Sequence, residues 1–135
     1  MPRLQFRDKV AEILRDAFGN RTDCRIAYEN GPLTDMDGST LPVVSCEIVY
    51  TTSEQAELAA LPLLRDEGSL LITVLVKGMS GSRQAYMLRD EAATLLQRKD
   101  IEGATTSVAR MLPNSNLVKG WVGYRAAIPF SHYHR

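Results

Sequence analysis

Residues that could carry chemistry are sparse in this chain. Its 135 residues include two cysteines, Cys24 and Cys46, with no C-x-x-C spacing. That excludes a thiolate metal centre and a disulfide framework of the small secreted kind. Two free thiols in a reducing compartment is the plain reading, since a bridge between neighbouring strands would need facing Cβ atoms. Neither sign of charge is in excess: Lys and Arg number 16, and so do Asp and Glu. The chain therefore lacks the basic surplus on which proteins that wrap nucleic acid rely. It equally lacks the net charge that keeps copies apart, which is compatible with self-association. Long apolar runs are missing too. The longest, Leu70 to Val76, is interrupted by Thr73 and is too short to span a bilayer. The N-terminal segment is amphipathic and charged, without the apolar stretch of a signal peptide, so a soluble protein made in a cytoplasm is expected.

What is present is the patterning of one folded domain spanning 1–135. About 44% of residues are apolar, enough at this length for a real core. Arg supplies most of the basic residues, and its planar fork suits interfaces. Residues 3–18 place Leu4, Phe6, Val10, Ile13, Leu14, Ala17 and Phe18 on one stripe, with Gly19-Asn20 behind them, which predicts an amphipathic helix with a C-cap. Cys24 to Tyr28 reads as a short strand. A polar stretch, residues 29–40, follows with two turn signals, and a loop of that length tends to be functional or mobile. Residues 42–52 read as a second strand. Residues 53–67 read as an irregular hairpin excursion, because Pro62 opposes a continuous helix. From Gly68, alternation of Leu70, Ile72, Val74 and Val76 predicts a central strand ending in a glycine turn at 78–81. A helix over 82–99, a polar hinge, a strand over 105–112, a loop at 113–116 and a last strand over 120–130 complete the chain. Pro129 suits an edge or a strand end. The expected fold is α+β: a two-layer domain with a mostly antiparallel sheet of about five strands and two helices on one face. The other face mixes Tyr, Arg, Glu and Thr with smaller apolar residues, a character that suits contact with another subunit.

Catalytic chemistry finds little support. His132 and His134 form an H-x-H pair near the C-terminus, but no third ligand is identifiable and they read as surface histidines. Asp35 and Asp37 resemble the opening of a calcium loop, yet its twelfth position is Cys46 where a glutamate is needed. The Gly78–Ser82 glycines lack the Gly-Lys-Ser/Thr ending of a phosphate loop. Glu47, Asp66, Glu67, Asp90 and Glu91 do not make a spaced carboxylate set. No catalytic residue, metal site or cofactor is expected. Trp121 and Tyr124 could stack bases, but on an alternating strand they read as core or interface residues.

Several segments taken together resemble a known family. They are the opening helix FRDKVAEILRDAF, the IAYENGP segment with its long loop, the strand VVSCEIVY, the run RDEGSLLITVLVKGMSG, the helix ending LLQR, and the closing YRAAIPF. In order and length they resemble the tail terminator, or tail completion, proteins of long-tailed bacteriophages. The resemblance covers essentially the whole chain through diffuse motifs. It implies a non-enzymatic virion protein that forms a hexameric ring, caps the tail tube, ends tail polymerisation and presents the surface that joins the head. Its partners would be further copies of itself, the tail tube protein, and a head–tail connector or head completion protein, with DNA contact through the ring lumen as a further option. Its place would be the head-proximal end of the tail, after assembly in the host cytoplasm. On this reading the candidate interface residues are Tyr28, Glu29, Asn30, Asp35, Asp37, Arg65, Trp121, Tyr124 and Arg125. The alternatives are another phage neck protein, a small metal-dependent nuclease using the two histidines, or a nucleic-acid-binding protein.

Overall fold

A computed structural model describes residues 2–27, 41–55, 64–77, 82–116 and 120–134. The elements are α1 (Pro2–Phe18), β1 (Arg25–Ala27), β2 (Val43–Gln55), β3 (Leu64–Lys77), α2 (Arg83–Leu96), β4 (Asp100–Ile101), β5 (Ala104–Thr106), β6 (Arg110–Ser115) and β7 (Trp121–His134). The fold is mixed α+β. Seven described strands form one sheet in the order β1-β2-β3-β7-β5-β4, with β6 also on β7. Five strands were expected; the extra ones are β4 and the division of the 105–112 strand into β5 and β6. All pairings are antiparallel except β1 with β2, which is parallel.

β3 is the axis. It pairs with β7 along its whole length on one side and with β2 from Leu64 to Leu75 on the other. Its burial alternates strictly from Asp66 to Val76. Leu70, Ile72, Val74 and Val76 enter a single core with Val44, Cys46, Tyr124, Ala126, Ile128 and Phe130. Cross-strand partners Ile72/Ala126 and Val74/Tyr124 set large beside small in that layer, while Leu70/Ile128 places two large side chains together. Both helices complete this core. Phe6, Val10, Leu14 and Phe18 of α1 recur every four residues, and Ala85, Leu88, Ala92, Ala93 and Leu96 come from α2. The alanines let α2 lie close on β3 and β7, while the leucines fill the space between.

Several expectations need correction. α2 ends at Leu96, three residues early, because the Thr106 side chain takes over its last turn. Its hydroxyl donates to the Leu96 carbonyl at 2.6 Å and accepts from the Lys99 amide at 2.8 Å. The polar hinge is a hairpin: Ile101 pairs with Ala104, and Glu102 and Gly103 both hold positive φ, at 48° and 87°. Two positive-φ residues between paired strands are the tight turn that matches sheet twist. Residues 113–115, expected as loop, continue β6 with an irregular register. Of the expected hairpin excursion at 53–67, residues 53–55 extend β2 and residues 64–67 open β3, paired with one another. Residues 56–63, the loop at 29–40 and the glycine turn at 78–81 lie outside the described residues.

Pro129 is neither at an edge nor at a strand end. It sits within β7, opposite Ser69 of β3. Its carbonyl accepts from the Ser107 amide at 2.8 Å, so its nitrogen, which has no hydrogen to give, also turns toward β5 and β6. The ladder on that side breaks between Thr106 and Arg110, where the missing donor would have been needed.

Gly68 marks a second close approach. A Cβ there would lie 2.1 Å from the Val49 carbonyl oxygen, beside the register shift of β2 between Tyr50 and Thr52. Backbone cannot withdraw as a side chain can. Gly68→Ala is therefore expected to lower stability by about 3 kcal/mol, as overpacking at its upper range does. Urea unfolding of the two proteins measures it, and equal midpoints would refute the close approach.

Candidate assembly surface

The sheet has two unlike faces. Even-numbered positions of β3 and β7 carry the core. Odd-numbered positions (Ser69, Leu71, Thr73 and Leu75 on β3; Arg125 and Pro129 on β7) are partly covered. Cross-strand rows on this second face run Val49–Ser69–Pro129, Glu47–Leu71–Ala127 and Ser45–Thr73–Arg125. Leu112 and Arg110 of β6 extend the last two rows, opposite Arg125 and Ala127 respectively. At one end a small apolar group forms from Val43 and Trp121, with Ala27 and Leu75 against it.

The expected interface residues separate on this frame. Arg125 sits at the centre of the second face. Its Nε is buried and has no hydrogen-bond partner among the described residues. Arg65 lies on the same face, with its Nε 3.6 Å from Glu67. Trp121 is also on that face but is packed within the small apolar group. Tyr124 points the other way, into the core, where its ring meets Tyr86 of α2 edge-on at 5.1 Å between centroids. Arg89 lies over the opposite partner of that pair, 4.7 Å from the Tyr86 centroid. Tyr28, Glu29, Asn30, Asp35 and Asp37 lie outside the described residues.

His132 is not a surface residue. It is 1% exposed, on the core side of β7, with its ring 5.5 Å from Phe6. Its cross-strand partner is Asp66, which is fully buried. Arg3 of α1 holds that carboxylate with two parallel bonds, Nε to Oδ2 and Nη2 to Oδ1, both 2.7 Å. The hydrogen bonds that Arg3 donates to Asp66 raise the pKa of its guanidinium further. The Arg3 guanidinium also lies over the Tyr50 ring, 5.7 Å from its centroid. These contacts fasten the start of α1 to the far ends of β3 and β7. Sequence reasoning missed both buried groups, yet a signal existed. Asp66 continues the even-numbered core positions of β3, and His132 continues those of β7.

A second ionic group ties the other end of α1 to α2. Arg21 bonds both Asp23 oxygens, at 2.9 and 2.7 Å, and also pairs with Glu91. The Arg21 bond pulls the Asp23 pKa down and raises that of Arg21. Cys24, next to it, has its thiol pKa pushed up mainly by burial. Under α1, an apolar cleft of about 270 Å³ is lined by Val10, Ala11, Leu14, Ile26, Cys46 and Ile48 with Arg7 at its rim. No group of three or more His, Cys, Asp or Glu side chains among the described residues could hold a metal ion. No helix is long and apolar enough to cross a membrane among the described residues.

No protein-family model matches the chain, and no curated protein matches it. One solved structure, whose name states no activity, is similar over 98% of this chain and 93% of its own length, with a TM-score of 0.59 and 13% identity. At that identity the likeness speaks for the fold alone.

Two outcomes are expected here. Asp66→Ala removes the buried acceptor of two Arg3 bonds while the half-exposed Arg3 stays solvated, and should lower stability by about 2 kcal/mol, read from chemical denaturation; a loss below a quarter of that would mean the pair holds nothing in place. Cys24 and Cys46 are both free and buried. In the native protein they should react slowly with a thiol reagent at pH 8 and fully on unfolding. Because the folded Cys24 pKa lies above its unfolded value, its contribution to stability is complete below the unfolded pKa and falls as pH rises through the folded one.

Proposed function

We propose that this chain is a non-enzymatic structural protein of a tailed bacteriophage, a tail terminator whose copies close into a hexameric ring on the head-proximal end of the tail tube. The ring ends tube polymerisation and offers the surface that meets the head–tail connector or head completion protein, and DNA passes through its lumen. The observation that carries this reading is the second face of the sheet. It is half apolar, only partly covered, and centred on Arg125, a cation with no acid beside it among the described residues. Such a face suits protein contact: apolar and arginine-rich, with few lysines. The underlying arrangement is two layers, with both helices against the opposite face. The resemblance in segment order to the terminator family supplies the biological assignment.

The rival readings have less to rest on. A nuclease built on His132 and His134 would need His132 accessible, and that ring is inside the core. A nucleic-acid regulator would need a basic surplus that a neutral chain does not have. Another neck protein is the alternative that shares the same surface logic.

The test is functional. Added to its tail tube protein during polymerisation, the chain should bind tube ends and stop elongation, seen as short tubes of fixed length by electron microscopy. Light scattering should give a mass several times the 15.0 kDa of one chain. Tubes that grow unchecked while the chain binds completed heads would favour the head-side neck reading. A single-chain mass with and without tubes would sink the ring.

A further inference from the structure

The two free borders of the sheet complement each other. On β2, the Arg25 amide donates to the Pro42 carbonyl at 2.8 Å. Even-numbered backbone groups of β2 before the bulge therefore face away from β3, and Ile48 is among them. On β7, the Pro129 carbonyl faces β5 and β6, so Arg125 and Ala127 do as well. Their partners Leu112 and Arg110 face back toward β7, and Met111, between them, turns its N–H and C=O outward. Neither Ile48 nor Met111 has a bond on that side among the described residues. The rest of the β6 border is closed: the Ala109 amide is taken by Gln97 Oε1 at 3.0 Å, and Pro113 has no amide hydrogen. Among the described residues Ile48, beyond the stretch of β2 that β1 covers at 43–45, and Met111 are open pairing positions, and the two borders are different surfaces.

The side chains agree with that position. Following β2, β3, β7 and β6 through their antiparallel pairings, β6 runs opposite to β2. If β6 of one copy lies beside β2 of the next with Met111 opposite Ile48, Leu112 falls opposite Glu47 and Arg110 opposite Val49. On the second face Glu47 then stands diagonal to Arg110 and two strand spacings, about 10 Å, from Arg125, across Leu112. Among the described residues Glu47 has no ion pair, and neither do Arg110 and Arg125. Two unneutralised arginines side by side repel each other, and one carboxylate between them reverses that. On the core side, Met111, 49% exposed, is brought to Ile48 at the mouth of the cleft lined by Val10, Leu14 and Cys46. An unbranched thioether side chain suits such an irregular space.

We infer that a second copy of this chain docks head to tail along these borders, its Glu47 entering between Arg110 and Arg125 while Met111 meets Ile48. This rests on the ring reading and names its contact. Because the two surfaces differ, the contact propagates in one direction and closes only as a ring.

Charge exchange and cross-linking test it. Glu47→Arg and the pair Arg110→Glu/Arg125→Glu should each reduce the wild-type mass to that of one chain, and combining all three should restore it. A Glu47→Cys/Leu112→Cys protein should form disulfide-linked ladders on oxidation. These positions are three strand spacings apart within one chain, about 14 Å, so they cannot bridge internally. The wild-type protein, with its buried thiols, is the control. If the wild-type ring persists in every charge variant and no ladder forms, this contact is wrong and the ring reading survives. If the wild-type protein is a single chain under all conditions, including on tubes, both fall. Loss of duplex DNA binding in the arginine variants with unchanged mass would overturn the contact in favour of nucleic acid.

Discussion

The fold depends on β3 being paired on both borders and buried on one face. Two-sided pairing leaves little freedom of register: slipping β7 by one position would turn Tyr124, Ala126, Ile128 and Phe130 away from the helices, and slipping β2 would do the same to Val44 and Cys46. The other constraints follow from it. Gly68 is required where β2 shifts register against β3, because only a residue without Cβ tolerates the Val49 carbonyl there. Pro129 is tolerated in β7 because its nitrogen faces the side where the ladder is already broken, leaving the pairing to β3 intact.

The ionic groups are placed at the ends of the same frame. Arg3 and Asp66 secure the start of α1, while Arg21, Asp23 and Glu91 secure its end to α2. They differ in character. Asp66 is wholly buried, so its pairing is obligatory, since a buried carboxylate without a partner is costly. The Arg21 cluster is solvated and is a weak determinant of stability by comparison. Arg110 and Arg125, which have no ion pair among the described residues, lie on the face the helices leave open.

Much of this was legible in the residues. The period of β3 and the four-residue recurrence of α1 are strong signals, since apolar spacing maps directly onto a buried face. Three features escaped for physical reasons. Glu102 holds positive φ without being Gly or Asn, so the hairpin turn carried only half of its usual signature. Asp66 and His132 are polar residues at core positions; residue type said surface while parity said interior, and parity was right because Arg3 and Phe6 arrive from a distant helix. Pro129 was assigned to a border by a rule that concerns its amide, but the amide's direction is set by pairing, which no local pattern reveals. The candidate surface was legible only in part. Arg65 and Arg125 do lie on the open face, but a strand's two sides could not be told apart for Trp121 and Tyr124.

The position of β7 has a consequence for how the molecule is made. It is the last described strand in sequence, yet it lies inside the sheet, between β3 and the β5–β6 border. Every long-range ladder except β2 with β3 and β1 with β2 waits for it. A ribosome that has released everything up to β6 has produced a helix, a hairpin and a second helix with one long apolar border of β3 exposed. Sheet closure is thus a late, non-local event, slow by its topology. Until it occurs the Arg110–Leu112 segment has nothing to rest against. Release of β7 therefore serves as a timer: the Arg110–Leu112 border cannot form before β7 is in place.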